Sequence, residues 1–139
     1  MELFSSIQLI PHFFRIVSVR NSGIVFGLFS GAGERSREYL LIGFTIVAMG
    51  GILLYSIKKA KENFPDIYPL AMILGGAAGN LSDRIRQGRV VDFLDFYVGN
   101  AHWPAFNIAD SAIVVGVATL LVLQWRDERH KTGSPAGPN

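Results

Sequence analysis

Cysteine is absent from the 139 residues. That excludes disulfides, thiolate nucleophiles and cysteine-held zinc. Charge is scarce as well: Asp, Glu, Lys and Arg make up 17% of the chain, against about 25% in soluble domains. The three histidines, His12, His102 and His130, follow no ligand spacing, so a metal site built from imidazoles is not expected. The opening MELFSSIQLIPHFF lacks the basic start and long apolar core of a secretory signal, and no internal repeat is visible. A formal charge of +2, carried in short Lys and Arg clusters between apolar stretches, does not make a nucleic-acid surface.

What the chain has instead is apolar length. Half of its residues are apolar and its mean hydropathy is +0.32. These values predict one integral-membrane α-helical unit over residues 1–126, with spans at 39–57, 66–82 and 107–125. The first span, YLLIGFTIVAMGGILLYSI, is uncharged and closed by Lys58, Lys59 and Lys61; the third is closed by Arg126, Arg129 and Lys131. The second is short and ends in polar groups, so it must tilt or let Asn80 and Asp83 reach the interface. Within it, Gly75 and Gly79 read as a small-residue helix-packing pattern. The tail, 127–139, ends in TGSPAGPN and is predicted to be disordered.

Two further stretches have strand character: FFRIVSVRNSGIVFGLF, with Asn21-Ser22-Gly23 as a turn signal, and GRVVDFLDFYVGN. Both join the helix ends opposite Lys58 and Arg126. They predict a small β-structured cap on one membrane face, built from residues 1–38 and the loop 88–104. Arg and Lys are nearly balanced between the two sides, so charge leaves the orientation open.

The chemistry gathers beneath that cap. With alternating spans, the start of the third helix meets the end of the second, which brings Asp110 near Asn80, Asp83 and Arg84 and near the loop bearing Asp92 and Asp95. An ionised Asp in mid-membrane costs about 2.5–3.5 kcal/mol, a cost met where the group lines a polar cavity or does chemistry. A simpler role for Asp110 is as the third residue of a helix capped by Asn107, gaining about 0.3–1 kcal/mol from the helix dipole. Asp92 and Asp95 could likewise be loop carboxylates paired with Arg86 or Arg89. Two carboxylates converging in a low-dielectric cleft would share a proton, one activating water while the other protonates a leaving nitrogen. Spacing alone does not choose between Asp92 and Asp95. A Ser–Lys dyad fails because every Lys lies at the far helix ends or in the tail. Neither His12 nor His102 has a serine partner for a triad.

NSGIVFG (21–27), GGAAGNLSDR (75–84), GRVVDFLDF (88–96) and FNIADS (106–111), in that order, resemble the lipoprotein signal peptidases of bacteria, signal peptidase II. The likeness covers residues 10–125. It implies a membrane aspartyl endopeptidase that cuts prolipoproteins just before a diacylglyceryl-modified cysteine, without a cofactor. By motif, Asp92 and Asp110 match the catalytic dyad; Asn21 and Gly23 match an NxG motif facing the substrate; Asn80, Arg84 and Asn107 match residues read as orienting dyad and substrate. The resemblance also places the active site at the outer leaflet of the bacterial inner membrane and makes the Lys58 and Arg126 clusters cytoplasmic. Substrate and membrane lipid are the partners expected of a monomer. Family members have four spanning helices, the first bearing an Asp and a Lys that help shape the site; this sequence starts just before the segment that normally follows that helix, so three are expected here.

Two readings without peptidase activity compete. One is an inactive relative. The other is a small membrane protein with an acidic proton relay, which would need further acidic or histidine positions along the span; residues 114–123 offer none.

Overall fold

The computed structural model describes residues 6–21, 33–59 and 67–132. Gly23, Lys61, the strand-like run 22–29 and residues 133–139 lie outside them. In chain order the elements are β1 (Ile7–Ile10), β2 (Phe14–Asn21), α1 (Glu34–Lys59), α2 (Ile67–Gln87), β3 (Val90–Val98), β4 (Ala101–His102) and α3 (Ile108–Thr132).

Two helical stretches, Arg35–Lys59 and Ile108–His130, are long and apolar enough to cross a bilayer. Large apolar side chains point outward along them: Phe44, Val47 and Leu54 are 70–75% exposed. A water-soluble protein would bury such a surface; a hydrocarbon solvent leaves it where it is. The few hydroxyls on these helices turn back onto their own backbones, Thr45 Oγ1 donating to Leu41 O at 2.7 Å and Ser56 Oγ to Ile52 O at 2.8 Å.

α2 differs from the sequence expectation. The predicted span stops at 82, whereas the helix continues through Asp83 and Arg84 to Gln87. Its polar residues are not a helix end but a working face: Asn80 is buried, and Arg84 Nη1 donates to the Asn80 carbonyl at 3.3 Å. The helix stops at Gly88, whose φ of +72° favours glycine and whose N–H caps the Arg84 carbonyl at 2.9 Å.

The small-residue contact is also displaced from its predicted place. Nothing lies within 4 Å of a side chain added at Gly75, and Gly79 has only ordinary contact with Ala109 Cβ. Gly76 is the tight position: a Cβ there would collide with the Ala109 carbonyl and come within 2.8 Å of Ile113. Gly116 returns the contact from α3, with Pro69 O at 2.7 Å and Ile73 Cγ1 at 2.8 Å from its added Cβ. These paired approaches run α2 and α3 antiparallel and bring Asn80 level with the start of α3. At the other side of α2, Gly88 meets the Glu38 carboxylate near the start of α1.

The strands form one antiparallel sheet in the order β1-β2-β3-β4. β2 and β3 fall in the two stretches of strand character; β1 and β4 lie outside those stretches but within the wider regions 1–38 and 88–104. Phe96 stacks on Phe14 at 4.6 Å and on Phe106 at 5.9 Å, tying the sheet to the chain entering α3. The β2–β3 register slips by a residue between Ile16 and Val19, so Arg15 faces Asp95 while Val19 faces Asp92. At the far end, α3 runs to Thr132, so residues 127–132 of the supposedly disordered tail are helical.

Candidate active site

The first turn of α3 builds half of the site. Asn107 is its N-cap: Asn107 Oδ1 accepts the Asp110 N–H at 3.0 Å, while Asp110 Oδ2 accepts the Asn107 N–H at 3.1 Å. This reciprocal closure satisfies backbone donors that the helix itself leaves unpaired. The capping role and the site role of Asp110 are therefore not alternatives; the cap sets where the carboxyl points.

β3 supplies the other half. Phe106 is bridged to Leu94, with Phe106 N–H to Leu94 O at 3.1 Å and Leu94 N–H to Phe106 O at 2.8 Å. That bridge sets Asn107 beside Asp92. Asn107 Nδ2 donates to Asp92 Oδ1 at 2.9 Å and also reaches Asn80 Oδ1 at 3.1 Å. Asn80 Nδ2 donates to Asp110 Oδ1 at 2.7 Å, and Asn21 Nδ2 donates to Asp92 Oδ2 at 2.8 Å. Three asparagines from three elements thus hold two carboxyl groups, each carboxyl accepting on both oxygens.

Asp92 is only 2% exposed. Burial pushes its carboxyl above the ordinary value, and the charge of Asp110 adds to the rise; hydrogen bonds from Asn21 and Asn107 and the Arg84 charge pull the other way. Asp110 is more open. It borders a cavity of about 370 Å³ with Ser111, Trp103, Phe106, Val114 and Val115, apolar except at the carboxyl end.

Asp95, the other candidate on β3, turns elsewhere. Its carboxylate meets Arg15 Nε at 2.6 Å and His102 Nδ1 at 3.0 Å. Burial alone would raise its pKa, but the His102 and Arg15 hydrogen bonds and charges outweigh that and hold it below the usual range. A separation of three residues on a strand already puts Asp92 and Asp95 on opposite faces, a signal available in the sequence. Of the residues named there, Asn21, Asn80, Asn107, Asp92 and Asp110 form one network, with Arg84 beside it; Gly23 is outside the described residues. The Phe106 bridge and the Asp95–His102 pair were not foreseen.

Two carboxyl groups held together at the start of an apolar helix, beside an antiparallel sheet, form a candidate site in a protein whose helices are fit to cross a bilayer. Residues 1–126 match the family model described as signal peptidase (SPase) II. The chain belongs to the signal peptidase II family, and is thereby a peptidase. It is 45% identical over 130 residues to a lipoprotein signal peptidase of Syntrophus aciditrophicus, covering 94% of this chain and 81% of that protein. A lipoprotein signal peptidase of Geobacter sulfurreducens is 44% identical over 131 residues, with the same coverages of 94% and 81%. A solved structure described as a bacterial membrane enzyme at 2.3 Å resolution superposes with a TM-score of 0.79 at 32% identity, covering 98% of this chain and 80% of that one.

Proposed function

We propose that Asp92 and Asp110 are the catalytic pair of a lipoprotein signal peptidase that cleaves a prolipoprotein before its diacylglyceryl-modified cysteine. The observation that carries this reading is the convergence of both carboxyls on Asn107, one through its side-chain amide and one through its backbone N–H. The pair shares one proton. Asp92, pushed upward by burial, keeps it, and Asp110, bordering the cavity, takes a proton from the attacking water. The water oxygen adds to the scissile carbonyl carbon; Asp92 then gives its proton to the leaving nitrogen as the C–N bond breaks. No metal or organic cofactor enters this scheme. Asn21, Asn80, Asn107 and Arg84 orient the acids and the substrate backbone, with Gly23 in the adjoining motif.

The apolar cavity beside Asp110 suits the lipid on the substrate cysteine, entering from the bilayer and lending its binding to the alignment of the bond. In this reading α1, α2 and α3 all span the inner membrane of a bacterium, the sheet rests on the outer face, the Lys58 and Arg126 ends are cytoplasmic, residues 1–126 belong to one membrane domain, and the protein is a monomer.

The test is cleavage of a lipidated precursor by Asp92→Asn and Asp110→Asn in detergent or vesicles. Each substitution is expected to lower turnover by at least about 10²–10⁴-fold. Wild-type turnover in either variant removes the dyad.

A further inference from the structure

Asp95 is a buried carboxylate, 5% exposed, for which the proposed chemistry has no use. Its partners come from both neighbouring strands. Arg15 on β2 stands opposite it in register and meets it at 2.6 Å. His102 on β4 places Nδ1 at 3.0 and 3.1 Å from the two carboxylate oxygens. The imidazole lies flat on Tyr97, with centroids 5.1 Å apart, and the Tyr97 hydroxyl takes a hydrogen bond from Gln8 on β1 at 3.1 Å.

The position of His102 in the chain gives this cluster its meaning. Immediately after it come residues 103–107, the segment that carries Asn107 to the acids. One end of that segment is fixed to β3 by the Phe106–Leu94 bridge. At the other end, Trp103 N–H donates to Phe96 O at 2.8 Å, and the His102 side chain is anchored on Asp95. We propose that Asp95 and His102 form a positioning clamp, fixing the entry of this segment so that Asn107 stays bonded to both reacting carboxyls. His102 and Asp95 are positioning residues, acting through Asn107 and touching no substrate. The inference rests on the dyad reading.

The clamp has a signature beyond rate. Asp92 is faced by Asn21 from β2, by Asn107 and Asp110 from the start of α3, and by the Arg84 charge from α2. The Asn107 bond is one of the influences that hold the Asp92 carboxyl down. If the segment slackens and that bond lengthens, Asp92 binds its proton more tightly, and the alkaline limb of the pH–rate profile moves to higher pH.

His102→Phe keeps a ring on Tyr97 but removes the Nδ1 contact; His102→Asn can set its amide nitrogen where Nδ1 stood. With a lipidated precursor, His102→Phe is expected to lower kcat by about 10- to 100-fold, the cost of a small misplacement of reacting groups. KM is expected to hold steady and the alkaline limb to shift upward. His102→Asn is expected to recover most of the rate and the wild-type limb. Wild-type kcat in His102→Phe, equal damage in both variants, or a fall in kcat with an unmoved limb each overturns the clamp. Failure of the dyad itself shows separately, as turnover retained by Asp92→Asn or Asp110→Asn.

Discussion

Asn107 joins a stability requirement to the proposed catalytic one. Its carbonyl oxygen caps α3, its amide nitrogen holds Asp92 and Asn80, and its backbone N–H holds Asp110. Asp95 is tied to both neighbouring strands, by Arg15 and by His102. Because its folded pKa lies below the ordinary 3.8, its stabilisation is present above pH 3.8 and is lost as pH falls through the lower folded value. Asp95→Asn is therefore expected to cost about 1.5–3 kcal/mol near pH 7, the worth of hydrogen bonds to a charged group. Thermal unfolding in detergent should show the gap from wild type closing below pH 3.8; a gap independent of pH would rule the charge out as its source. Asp110, Asn107 and Asn80 could be grouped from the sequence because alternating spans bring their helix ends together. Which β3 carboxylate joins them was not available from spacing, since it depends on the Phe106–Leu94 bridge that sets Asn107 beside Asp92. In the sequence His102 has neither a ligand spacing nor a serine partner, and its carboxylate partner lies on the neighbouring strand.

At the scale of elements, α2 and α3 are locked where glycine meets backbone. Gly76→Ala drives a methyl into the Ala109 carbonyl, one residue before Asp110. Overpacking of this kind costs about 1–3 kcal/mol, and here it also displaces an acid of the pair. Gly76→Ala is expected to lose both melting temperature and turnover, while Gly75→Ala, with open space around it, should match wild type in both assays. A harmless Gly76→Ala would mean that the helices part without disturbing the site. The apolar cores of α1 and α3 were legible because their length and composition suit a hydrocarbon solvent. The last turns of α2 were not, since Asn80, Asp83 and Arg84 read as an interface until their neighbours are known. The Gly75 and Gly79 spacing was legible as a pattern, but its phase on the helix was not: the neighbouring Gly76 carries the contact.

For the molecule as a whole, the absence of cysteine noted at the outset becomes an experimental convenience. A single cysteine placed at exposed Asn100, in the turn after β3, has no native thiol to compete with it. If the sheet lies outside the cell, Asn100→Cys is labelled by an impermeant maleimide on intact cells and Lys58→Cys only after lysis; the reverse pattern would invert the proposed topology. The sheet, the helix ends and the acid pair then occupy a single layer at the edge of the bilayer. A helix's opening turn is ordinarily the part that frays soonest on warming. In this protein the atoms that close that turn also hold the carboxyls of the proposed pair, so unwinding and working exclude each other, and heat is expected to silence turnover while the membrane-embedded body is still intact.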